Sequence, residues 1–70
     1  MTGIEKAIAA AGSQQRLAEL LGVTQQAVAH WLAHGKIPYG RVVDVEIALE
    51  GVVKREELAP ELYRAEPQAA

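Results

Sequence analysis

The sequence predicts an all-α fold of short helices, and three observations predict it. Capping residues recur just ahead of apolar stripes, at Thr2, Ser13 and Thr24. The stripes keep helical spacing, as in Ile4, Ala7, Ile8 and Ala11. Glycines close them, at Gly12, Gly22 and Gly35. With 70 residues there is room for one domain. A chain of that size buries only ~60% of the surface its unfolded form exposes, so its apolar residues must share one core.

The elements follow in order. Thr2 and Glu5 form a capping box for the first helix, which Gly12 stops. Ser13 caps a second helix whose stripe is Leu17, Leu20 and Leu21, closed by Gly22. Thr24 caps a third, running to about Ala33 and ending at His34-Gly35, and the loop Lys36-Ile37-Pro38 follows. The segment YGRVVDVEIALEGVVK reads two ways. Val43, Val45, Ile47 and Leu49 alternate with polar or small residues at the period of a half-buried strand. Val42, Val45, Leu49 and Val52 also make a helical stripe, with Glu46 and Glu50 opposite and Gly51 as a stop, and the pattern tilts slightly toward helix. Beyond it REEL forms one helical turn, Pro60 restarts another, and Leu58 and Leu62 fold back on the core. Residues 1–65 are expected to be a single domain and residues 66–70 a flexible tail.

Composition excludes several classes of protein. Without cysteine there is neither a disulfide framework nor a thiolate metal cage. The N-terminal stretch MTGIEKAIAAAG is broken by Glu5 and Lys6 and falls far short of the ~20 apolar residues of a membrane span. A cytoplasmic protein that does not engage membranes is expected. The net charge of −2 hides an asymmetry. Residues 1–41 hold four cations (Lys6, Arg16, Lys36, Arg41) against two carboxylates, for a net +2, whereas residues 42–70 hold three against seven, for a net −4. An anionic polymer would meet the first half, leaving the acidic half to face away from it or toward a protein partner.

The third helix has an unusual front. Gln25, Gln26, Ala29 and His30 share a side, while Val28, Trp31 and Leu32 supply apolar bulk elsewhere. Two short helices joined by a glycine turn match the helix-turn-helix plan, in which the second helix lies in the major groove. Glutamine presents a donor and an acceptor together to adenine, alanine touches a thymine methyl, and histidine bonds a base edge or a phosphate. The small Ala18 lets the two helices approach, and Val28 and Trp31 lock the third onto the second.

The stretch Gln14 to Trp31, QQRLAELLGVTQQAVAHW, resembles the helix-turn-helix of phage Cro and C1-type repressors, through Gln14, Ala18, Gly22, Gln25, Val28 and Trp31. From Ile4 to about Tyr63 the chain looks like the YdaS-type branch of Cro-like prophage regulators, with its WL…GKIP loop, an acidic segment ending in Gly51, and REELAPELY. The resemblance implies a lambda repressor-like domain of five short helices, helical over residues 39–50, although Cro relatives exist whose C-terminal half is a β-hairpin. Val43, Val45 and Ile47 make this segment more strand-prone than the branch's pattern. The resemblance further implies base contacts from Gln25, Gln26, Ala29 and His30, and phosphate contacts from Gln14, Thr24, Lys36, Tyr39 and Arg41.

Each of these residues also has a plainer reading. The glutamines have a second reading as solvated helix-start residues, Thr24 is first a cap, Trp31 is core, and Lys36 and Arg41 double as solubilising charges. Tyr39 either packs on the fourth helix or places its hydroxyl on a phosphate. His30 and His34 share a face at i, i+4, but the glutamate of a metalloprotease motif is missing after His30, and no metal site is expected. No catalytic constellation or glycine-rich phosphate loop is present. The expectation is therefore a non-enzymatic Cro-like repressor without cofactor or small-molecule substrate, acting as a homodimer on operator DNA through a dimer surface in Val42 to Leu62. The alternative is an antitoxin-type or assembly adaptor that docks a basic partner on its acidic half.

Overall fold

The structure, a computed structural model, describes residues 1–63. Five helices run in chain order: α1 Gly3–Ala11, α2 Gln14–Leu21, α3 Gln25–His34, α4 Val42–Ala48 and α5 Arg55–Leu58. A 3-10 turn at Tyr39–Arg41 leads into α4, and the described residues contain no strand. The proposed tail, residues 66–70, lies outside the described residues.

Local chemistry starts the first three helices as the sequence predicts. The Thr2 amide donates to Glu5 Oε1 at 2.7 Å and the Glu5 amide to Thr2 Oγ1 at 3.2 Å, closing the capping box of α1. Ser13 Oγ accepts from the Arg16 amide at 3.0 Å, and Thr24 Oγ1 from the Ala27 amide at 3.1 Å. Between α2 and α3 the chain reverses through Gly22 at φ 71°, a left-handed conformation that a side chain would strain. The Val23 amide then bonds the Ala18 carbonyl at 3.0 Å, which sets the entry into α3.

The core draws on every helix. Ile4 and Ala7 of α1, Leu17 and Ala18 of α2, Val28 and Trp31 of α3, and Val42 and Val45 of α4 are buried together, joined by Ile37, Leu49, Val53, Leu58 and Ala59. Each fully buried Leu, Ile or Val contributes roughly 1.5–3 kcal/mol relative to exposure. α2 packs against α1, α3 and α4, so the helix-turn-helix pair is braced from behind.

The ambiguous segment is helical, and burial shows why. Val42, Val45 and Leu49 are buried at helical spacing, whereas the strand reading would place Ile47 beside Val45, and Ile47 is 67% exposed. The helix is shorter than residues 39–50, because Glu50 at φ 56° and Gly51 at φ 79° reverse the chain after Leu49. Val52 therefore leaves the expected stripe at 71% exposure, and Val53 takes its place in the core. Glu46 does not stand on a solvated face. Its carboxylate accepts from Arg55 Nε at 2.6 Å and ties α4 to α5.

Two leucines depart from the expected core. Leu20 points to solvent while Leu17 and Ala18 carry the buried side of α2. Pro60 opens a single further turn within the described residues, as expected. The Leu62 and Tyr63 amides both bond the Ala59 carbonyl at 3.0 Å, which makes a turn. Leu62 is exposed, and Ala59 fills the position beside Leu58 in the core.

Candidate nucleic-acid interface

α3 is a ten-residue helix anchored on one side by Val28 and Trp31 and fixed at its start by the Thr24 cap. Gln25, Gln26, Ala29 and His30 are all exposed on it. No carboxylate occurs between Val23 and Asp44. α3 thus presents amides, one methyl and imidazole within a stretch of sequence that carries no negative charge, compatible with a polyanion. The rings of His30 and His34 lie 4.2 Å apart at 50° to each other. Among the described residues, no group of three or more His, Cys, Asp or Glu gathers as a metal site.

The candidate phosphate contacts are distributed around this helix. Gln14 is the first residue of α2, half-buried, at a helix start where free amides favour an anion. Thr24 spends its hydroxyl as acceptor for the Ala27 amide, and the hydroxyl proton remains available to a second partner. Lys36, just past the end of α3, holds its ammonium 4.9 Å from the centroid of the Tyr39 ring, a cation–π contact. Tyr39 is 45% exposed and its hydroxyl donates to Glu61 Oε2 at 3.0 Å. Arg41 lies 3.9 Å from Asp44, both exposed, so that guanidinium is only loosely engaged.

Two side-chain pairings were not legible in the sequence. Arg16, one of the four cations of residues 1–41, stands exposed in the first turn of α2, 3.3 Å from Glu19. The contact of Glu61 with Tyr39 joins residues 22 apart and left no signal at all. Glu61 is held below the ordinary carboxylate range by its own backbone amide, by the Tyr39 hydroxyl and by the Lys36 charge.

A model of the family described as "Bacterial toxin YdaS" matches residues 4–67, nearly the whole chain. The chain belongs to the YdaS family. This YdaS-family chain is also similar to a solved structure, the Cro protein from prophage element Xfaso 1 of Xylella fastidiosa strain Ann-1. The two share 40% sequence identity over 93% of this chain and 100% of that one, with a TM-score of 0.85. The curated proteins compared with the sequence gave no match. The family membership and the structural likeness place the all-α helix-turn-helix fold among Cro-like prophage regulators.

Proposed function

We propose that this chain is a sequence-specific double-stranded DNA-binding regulator that represses by covering an operator. The observation that carries the reading is the capped α3, locked by Val28 and Trp31, with Gln25, Gln26, Ala29 and His30 on its free surface. In the major groove the two amides pair with adenine edges, Ala29 meets a thymine methyl, and His30 reaches a base edge or phosphate. Gln14, Thr24, Lys36, Tyr39 and Arg41 contact the flanking backbone and set the register of the helix. Similarity to a Cro protein and the basic balance of residues 1–41 support this reading.

One such module makes few contacts, so a homodimer on a palindrome is proposed, with half-sites ~34 Å apart. The proposed dimer surface lies in Val42 to Leu62, where Ile47, Val52 and Leu62 are exposed apolar residues, and Leu20 and Leu21 line a groove with Ile47. The adaptor reading draws on the family's description as a toxin and on the acidic half. Much of that acidity is used internally, since Asp44, Glu46, Glu57 and Glu61 face Arg41, Arg55, Lys6 and Tyr39 respectively.

Selection from a random duplex pool at moderate salt, with the native protein and with Gln25→Ala/Gln26→Ala, tests the proposal. An enriched palindrome is expected, with the preferred bases lost in the double variant at about 1–3 kcal/mol per lost bidentate pair. A single enriched half-site would defeat the dimer. No enrichment, with identical residual binding by both proteins, would defeat base reading and turn attention to protein partners of the acidic half.

A further inference from the structure

Lys36 and Tyr39 form one unit. The ammonium sits on the face of the ring, and the phenol points its single O–H at the carboxylate of Glu61. A tyrosine hydroxyl has one proton to donate, so it can serve one acceptor at a time. The acceptor it serves here is an oxygen of a singly charged anion with a cation nearby, the same chemistry a backbone phosphate oxygen presents. Glu61 itself is exposed, on a turn whose base is fixed by the buried Leu58 and Ala59 and by the Tyr63 amide on the Ala59 carbonyl. The backbone is tethered, and the exposed side chain has no buried contact to lose when a competing anion displaces it.

We infer that Glu61 is an intramolecular stand-in for a DNA phosphate, occupying the anion position of the Lys36–Tyr39 loop so that a duplex must displace it. The inference rests on the DNA-binding reading above, and it assigns the acidic end of the chain a role in setting affinity. Contacts between exposed charged groups are weak and screened by salt. The clasp therefore tunes binding by a small factor and does not block it.

Affinity of the full chain for a short duplex of random sequence tests this, because phosphate contacts do not depend on sequence. Glu61→Gln is expected to bind about two- to fivefold more tightly than the native protein at low salt, the gain shrinking as salt rises. Glu56→Gln, which removes the same charge from α5, controls for the general loss of negative charge and is expected to give a smaller gain. In a Lys36→Met/Tyr39→Phe background the gain from Glu61→Gln should fall to that of Glu56→Gln, since the competed site is gone. If native protein binds and Glu61→Gln binds no more tightly than Glu56→Gln, the clasp is overturned while the DNA reading stands. A gain that stays larger than that of Glu56→Gln in the Lys36→Met/Tyr39→Phe background likewise overturns it. If neither native protein nor any variant binds duplex at low salt, the DNA reading itself fails and the clasp falls with it.

Discussion

Thr24 links local folding to the proposed function more directly than any other residue. Its Oγ1 accepts the Ala27 amide at 3.1 Å, satisfying one of the amides that a helix start leaves free. It also holds Gln25 and Gln26 in the first turn of α3, where a frayed helix would let both amides wander. Thr24→Ala should cost about 1 kcal/mol of stability, which for a chain of this size lowers Tm by roughly 4–8 °C in a thermal melt. Duplex affinity should fall with it, whereas an unchanged Tm would show that the cap contributes nothing. The cap was legible because a threonine ahead of an apolar-backed run carries its own mechanism. The side-chain partners of Tyr39 were not, because its choice between packing and solvent depends on a carboxylate that only the fold brings near.

Among the elements, α5 shows how a four-residue helix keeps its place. Its Glu57 carboxylate accepts from its own Lys54 amide at 3.3 Å and pairs with Lys6 of α1, also at 3.3 Å, while Leu58 enters the core. The approach of α1 to α5 is close enough that backbone meets backbone. A β-carbon on Gly3 would lie 2.7 Å from both the α-carbon and the carbonyl oxygen of Leu58, a contact that no side-chain rotation relieves. Gly3→Ala should therefore destabilise the fold by about 1–3 kcal/mol despite the better helix propensity of alanine. Urea unfolding followed by the fluorescence of Trp31, the one tryptophan, would measure it. A stabilised variant would mean that α5 stands off α1 in solution. The need for glycine at position 3 was invisible in the chain, where it reads only as the first residue after a cap. The helix and turn character of α4 and α5 was half visible: the spacing of Val42, Val45 and Leu49 tilted slightly toward a helix, against a β-branched run that suits a strand.

At the scale of the whole molecule, charge is organised in two ways. The sequence from Leu20 to Val43, which contains α3, carries no carboxylate, while much of the acidity of the second half is engaged within the chain. Glu5 is held below the ordinary carboxylate value of 4.5 chiefly by the Thr2 amide, and Glu57 by the Lys54 amide and then by Lys6. A carboxylate with a lowered folded-state value adds stability that is fully present above its unfolded value and is lost as pH falls through the folded one. Urea midpoints are therefore expected to be flat from pH 7 to about 5 and to drop below 4.5. Glu5→Gln/Glu57→Gln should flatten part of that drop. A double variant that keeps the full acid dependence would show that these two capping carboxylates are not its source.

The sequence by itself determined the helical character of the first half, the starts and stops of α1 to α3, and the candidate reading face. Those features depend on neighbours three or four residues apart, where backbone geometry and capping chemistry act alone. Tertiary structure decided that residues 42–48 are helix, that Val53 replaces Val52 in the core, that glycine is needed at position 3, and that Glu61 closes on Tyr39. Each of these compares energies between segments far apart in the chain. A β-branched run takes the conformation that buries Val42 and Val45 against α2, and a carboxylate settles on the hydroxyl the folded core brings to it.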